Sequence, residues 1–257
     1  MKCGIVYALN PFLFLCTCIV TSQVQAVSPV LSAHKPEPKV ANVSFATEDG
    51  GVVYADLYGD GESGVVLAHG GRFTKESWQP QAESLVRAGF RVLAFDFRGF
   101  GKSHGPGDKD MYTAPMHLDV LAAVRYLRKR GAKTVSVMGA SFGGGAAADA
   151  SIASPLGEID RLILLAADWD GPAERIKSPL LVIVARDDVG GDGPRLPHIR
   201  VWFDKAPEPK QLIVLEGSAH AQFLFQTEQG DRAMEEVLRF LRAGKLGPTK
   251  PNPIDQR

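Results

Sequence analysis

Beyond residue 18 the 257-residue chain has no cysteine. Cys3, Cys16 and Cys18 all fall in its opening segment, so the remainder can carry no disulfide, no thiolate metal site and no catalytic thiol. Excess charge is missing too: 29 Lys and Arg face 29 Asp and Glu, which leaves no global field to gather nucleic acid or an anionic membrane. There is no internal repeat. A long uninterrupted apolar run is also lacking, because Asn10-Pro11 breaks the stretch from Ile5 to Val20, whereas a membrane span needs about 20 apolar residues. With Lys2 ahead of it and Val24-Gln25-Ala26 behind, that stretch reads as a cleaved secretory signal over residues 1–26, which predicts a secreted or periplasmic protein. An uncleaved anchor is the competing reading. A lipoprotein signal fits poorly, since Leu15-Cys16 and Thr17-Cys18 lack the small residues such a site prefers.

What remains suits one globular α/β domain. The chain is 45% hydrophobic and 23% charged, ordinary values for a packed core. Residues 27–39, rich in Pro, Ser and Lys, read as a linker, and residues 247–257, with Pro248, Pro251 and Pro253, as a disordered tail. Between them, over 40–246, short apolar runs at 65–68, 91–97, 134–138, 162–166, 180–185 and 211–215 predict strands. Segments around 76–88, 114–130, 143–153 and 231–243 repeat their apolar residues every three to four positions and predict helices. Such alternation implies a parallel sheet covered on both faces. Runs at 39–47 and 51–58 precede the first crossover and predict an antiparallel hairpin at one edge. About a dozen residues separate Ala167 from Leu180, too few for a large inserted cap, so a site there would be open.

The strongest chemical signal is Gly139-Ala140-Ser141-Phe142-Gly143. It follows the strand-like Thr134 to Met138 and opens a helix-like stretch from Gly144, the strand, turn and helix context of a nucleophile elbow. Glycines flank a residue held in strained backbone, where a side chain would collide as the chain reverses. A following helix aims amide N–H groups at a developing oxyanion. The same five-residue pattern recurs at Gly101-Lys102-Ser103-His104-Gly105, but there it lies in a Gly- and Pro-rich loop with no helix after it, so Ser103 is rejected. Nor is that loop a phosphate cradle, because Asp96 stands where the first glycine of such a motif belongs.

His69-Gly70-Gly71-Arg72 directly follows the strand at 65–68. Glycines let backbone approach a bound carbonyl and donate to it, so Gly71, or failing that Arg72, pairs with Phe142 as candidate oxyanion donors. A plain Gly-rich turn is the bland alternative. A general base belongs late in the chain on a loop after the last strand, where His220 sits in Gly217-Ser218-Ala219-His220-Ala221. The other histidines fit less well: His34 is in the linker, His69 is structural in its turn, His104 is in the rejected loop, His117 is on a helix and His198 is in a Pro-rich loop. An acid that orients the imidazole should follow the strand at 180–185. Asp188 is favoured over Asp187, with Asp168 a distant third, and any of them could be a solvated loop carboxylate.

The order Ser141, Asp188, His220, together with the His69-Gly70 turn and the Asp96-Phe97-Arg98-Gly99-Phe100-Gly101-Lys102-Ser103 stretch, resembles the α/β-hydrolase superfamily over roughly residues 40–243. That resemblance implies the superfamily's sheet, a site at the carboxyl ends of its strands, and a small lidless form similar to dienelactone hydrolases and minimal carboxylesterases. It also implies that the acid is the third residue after a glycine closing the penultimate strand. Ala185 takes the place of that glycine and points to Asp188. By the same resemblance Asp96 and Arg98 are architectural. Superfamily members that open alkyl halides or epoxides carry Asp at the elbow, and Ser141 argues against those chemistries. The expectation is a serine hydrolase acting on an ester or related acyl bond of a small-molecule acyl substrate, with no cofactor, no metal, no nucleic acid and no membrane partner after signal cleavage. An exported binding protein on the same scaffold, and an acyl transferase or peptidase with the same residues, are the alternatives.

Overall fold

A computed structural model describes residues 40–167 and 169–244. The expected signal segment, linker and tail lie outside the described residues, as do His34 and Asp168. Among the described residues no helix is long and apolar enough to cross a membrane.

The hairpin expected at the sheet edge is present: β1 (Val40–Ala46) and β2 (Val52–Tyr58) pair antiparallel, Val40 opposite Tyr58 and Ala46 opposite Val52. Then follow β3 (Ser63–Ala68), β4 (Arg91–Phe95), β5 (Thr134–Ala140), β6 (Arg161–Leu165) and β7 (Leu180–Ala185). A small ribbon of β8 (Val189–Gly190) and β9 (Gly193–Pro194) precedes β10 (Lys210–Leu215). The main sheet has eight strands in the order β1-β2-β4-β3-β5-β6-β7-β10. It is parallel from β4 onward and antiparallel where β2 meets β4.

Helices cover both faces. On one side lie α1 (Gln79–Arg87) and α5 (Gly230–Arg242); on the other, α2 (Met116–Lys129), α3 (Phe142–Ala153) and α4 (Arg195–Lys205). The two-residue period of a strand divides its side chains between these layers. Val65 and Leu67 pack with Leu85 and Val237, while Val66 and Ala68 pack with Val124 and Ala147. Each large side chain withdrawn in this way contributes about 1.5–3 kcal/mol.

Several boundaries differ from the expectation for identifiable reasons. The first turn of the helix expected at 76–88 is a 3-10 turn, Lys75–Trp78, and α1 begins only ahead of Pro80, whose missing N–H costs nothing in a first turn. β4 stops at Phe95 because the Phe97 N–H leaves the ladder for His69 Nε2, 3.2 Å away. The expectation of a Pro-rich loop around His198 is corrected: Arg195–Lys205 is a helix. Pro197 occupies its first turn, where the amide has no intrahelical acceptor, and so does not break it. Between β6 and β7 the described residues hold one 3-10 turn, Ala173–Arg175, and no inserted cap.

Candidate active site

β5 ends by turning sharply through Ser141 into α3. Ser141 has φ 50° and ψ −120°, a conformation that costs a side-chain-bearing residue about 1–3 kcal/mol and persists only where its surroundings enforce it. They do so here. The Ser141 N–H donates to the Leu165 carbonyl at 2.8 Å, and the Ser141 carbonyl accepts from Gly144 at 2.8 Å. Close packing explains the glycines: a Cβ on Gly139 would strike the Gly143 carbonyl, one on Gly143 would lie 2.6 Å from the Ala68 carbonyl oxygen, and one on Gly144 would lie 2.8 Å from Ala167 Cβ. The end of β3 thus packs directly on the helix that follows Ser141.

Three side chains from three loops meet above this turn. His220 Nε2 lies 2.8 Å from Ser141 Oγ, and His220 Nδ1 lies 2.7 Å from Asp188 Oδ2. The Asp188 side chain is 1% exposed and that of His220 31%, so the carboxylate is withheld from water while the imidazole borders the cleft. Asp187 points to solvent, its amide donating to the Gly217 carbonyl at 2.9 Å. Arg195, not singled out in the sequence, supports the loop: its amide donates to the Asp188 carbonyl at 2.9 Å and its Nε stands 3.5 Å from Asp188 Oδ1.

The turn after β3 is held from behind. His69 is fully buried, and burial lowers its pKa to about 4 against the opposing pull of the Gly70 carbonyl. The ring is therefore neutral. Its Nε2 accepts the Phe97 N–H, which places the proton on Nδ1, 2.9 Å from the Gly70 carbonyl oxygen. Gly71 adjoins the elbow, with a Cβ there falling 3.8 Å from Phe142 Cβ. Among the described residues no acceptor takes the amide N–H of Gly71, Arg72 or Phe142.

Gly71, Arg72, Phe142, Ser141 and His220 all border a cleft of about 730 Å³, whose walls include Phe73, Met111, His117, Asp149, Trp169 and Phe223. Trp169 Nε1 donates to Asp149 Oδ1 at 2.9 Å. Ser103 is elsewhere and buried; its Oγ accepts the Tyr54 N–H at 2.9 Å and its carbonyl the Gly99 N–H at 3.0 Å. His104 is exposed, with Nδ1 3.1 Å from the Lys102 carbonyl oxygen, and His198 Nε2 lies 2.7 Å from Asp170 Oδ1. One buried polar residue, Gln222, touches the site from a direction that no sequence pattern marked: its Oε1 accepts the Gly70 N–H at 3.0 Å.

Comparison with known proteins gives a consistent result. A family model described as alpha/beta hydrolase fold matches residues 65–203. A non-heme haloperoxidase of Rhodococcus erythropolis is 32% identical over 122 residues, covering 46% of this chain and 42% of that protein. In that relative, as in the other curated relatives with the strongest matches, less than half of the length is matched. Among solved structures, an esterase of Pyrococcus furiosus superposes with a TM-score of 0.68 at 20% identity, over 80% of this chain and 91% of the other. A dienelactone hydrolase of Anabaena variabilis superposes with a TM-score of 0.60 at 19% identity, over 80% and 95%.

Proposed function

Since the chain belongs to the alpha/beta hydrolase fold family, we propose that it is a serine hydrolase cleaving an ester or related acyl bond of a small substrate. Ser141 is the nucleophile, His220 the general base and Asp188 the acid that orients it. The observation that carries this reading is the continuous hydrogen-bonded line from Ser141 Oγ through the His220 ring to Asp188 Oδ2, with steps of 2.8 and 2.7 Å.

The roles follow from the geometry. A serine hydroxyl attacks poorly until a base within hydrogen-bond reach takes its proton, and His220 Nε2 is within that reach. Once the imidazole is protonated, a buried carboxylate on its other nitrogen stabilises the new charge and fixes the tautomer. Attack on a carbonyl in the cleft puts negative charge on oxygen beside the turn after β3 and the start of α3. The N–H groups of Gly71, or Arg72, and of Phe142 then donate to it. Collapse of the tetrahedral species expels the alcohol, which takes the proton from His220; water repeats the cycle on the acyl-enzyme.

Labelling with a fluorophosphonate tests the assignment, because such probes react with activated serines. Wild type and Ser103→Ala should label and hydrolyse an activated ester, and Ser141→Ala should do neither. A folded wild type that does not label removes the serine-hydrolase reading; labelling that survives Ser141→Ala moves the nucleophile elsewhere.

A further inference from the structure

Gln222 lies two residues beyond His220, is 2% exposed, and makes two side-chain hydrogen bonds in opposite directions. Its Oε1 accepts the Gly70 N–H at 3.0 Å, and its Nε2 donates to Ser77 Oγ at 2.7 Å. Ser77 in turn donates to the Thr74 carbonyl at 2.6 Å. A primary amide supplies an acceptor and a donor at once, and burial without both partners would be costly. The backbone between base and amide is strained to allow this arrangement. Ala221 has φ 55° and is 1% exposed, a left-handed conformation that a residue with a Cβ holds only when its neighbours enforce it.

We propose that Gln222 is a positioning residue of this site, fixing the turn after β3 so that the Gly71 N–H is presented to the cleft; the proposal rests on the serine-hydrolase reading. Glycine at position 70 can rotate through most of φ/ψ space, so the direction of the next peptide must be imposed from outside. Both polar groups of Gly70 are pinned. Its carbonyl takes the His69 Nδ1–H at 2.9 Å and the Phe73 N–H at 3.0 Å, and its N–H goes to Gln222. In a trans peptide N–H and C=O point in opposite directions, so a Gly70 carbonyl held toward His69 and Phe73 turns the Gly71 N–H away from them. Occupation of the Gly70 N–H by Gln222 also removes that group as an oxyanion donor. A residue on the base-bearing loop therefore sets the geometry of the opposite wall, without itself touching substrate.

Gln222→Met keeps the bulk and removes both hydrogen bonds; Gln222→Glu keeps an acceptor for Gly70. Outright loss of one oxyanion donor costs about 10²–10³ in kcat, and a misdirected donor should cost roughly 10- to 100-fold. The Met variant should show that loss in kcat with KM nearly unchanged. An aryl boronic acid, whose tetrahedral adduct needs the same donors, should bind it more weakly by the same factor, while the pH at which activity rises stays put. The Glu variant should recover most of the loss. A Met variant with wild-type kcat and boronate affinity, or one whose loss lies wholly in KM, overturns the proposal. If the Met variant does not fold, Ser77→Ala decides: a severalfold fall in kcat at constant KM supports the anchor, and an unchanged kcat overturns it. A wild type that neither labels with fluorophosphonate nor turns over esters takes down the hydrolase reading and this one with it; an active wild type indifferent to Gln222 takes down this one alone.

Discussion

Arg98 and Asp119 form an ion pair that solvent does not reach: Nη2 lies 2.7 Å from Oδ1, and both side chains are 0% exposed. The Arg98 amide also donates to Asp119 Oδ2 at 2.9 Å, and its Nη1 reaches the Pro106 carbonyl at 3.0 Å and Asp49 Oδ2 at 2.5 Å. The long loop after β4, which also contributes Met111 to the cleft, is thereby fastened to α2 and to the β1–β2 hairpin.

Removing Asp119 takes away the fully buried partner of Arg98 and leaves it only the partly exposed Asp49. Asp119→Ala should cost about 3–5 kcal/mol, read as a lowered urea midpoint. The double change Arg98→Met with Asp119→Leu should cost less than Asp119→Ala, since it buries no unpaired charge. A double variant less stable than the single would show that the loop needs the ions themselves.

Asp187 and Asp188 are neighbours in sequence and opposites in surroundings. If Asp188 orients His220, Asp188→Asn should lower kcat by about 10³- to 10⁴-fold, as loss of the correct tautomer does in a Ser-His-Asp arrangement. Asp187→Asn, altering an exposed side chain, should stay within about twofold. Steady-state kinetics on one activated ester distinguishes the two, and the opposite pattern would reassign the acid.

His69 gives the fold an acid-sensitive point. Burial lowers its pKa from 6.5 to about 4, so across that interval the unfolded chain binds a proton that the folded protein excludes. Its contribution is complete above the unfolded value and is lost as pH falls through the folded one, up to roughly 3 kcal/mol. Asp96, whose carboxylate lies 4.0 Å from His69 Nε2, is shifted upward by burial and acts in the opposite sense. The informative quantity is therefore the difference between wild type and His69→Asn. Between about pH 7 and about pH 4.5 the wild-type urea midpoint should fall more steeply; equal slopes would show that His69 does not titrate in this way.

Much of the architecture could be read along the chain. Apolar runs of strand length, such as Leu180–Ala185, carry their own signal because both faces are covered, and Gly139 to Gly143 combined a strand before with a helix after. Ser141 is legible from its elbow pattern, His220 from its place after the last strand, and Asp188 rather than Asp187 from the family resemblance; the structure brings the three within hydrogen-bond reach. What could not be read depends on contacts distant in sequence. α4 was hidden by Pro194 and Pro197, which look like breakers until the register shows that Pro197 falls in a first turn. Gln222 is an ordinary polar residue in a loop; only its burial against Gly70, 152 positions away, gives it meaning. The tautomer of His69 likewise depends on Phe97, whose departure from β4 no local pattern announces.

Among the described residues β10 has a neighbouring strand on one side alone, whereas β5 lies between β3 and β6. An edge strand can detach at lower free energy than an inner one, because fewer ladder bonds and less buried surface are given up. His220 hangs from the loop beyond β10, and Ser141 from the end of β5. Beyond His220, however, Ala221 is buried and Gln222 is bonded to Gly70 and Ser77, so loosening of β10 alone would leave the far side of that loop fastened. The imidazole is tied to the fold from two directions, one along the sheet edge and one across to the turn after β3.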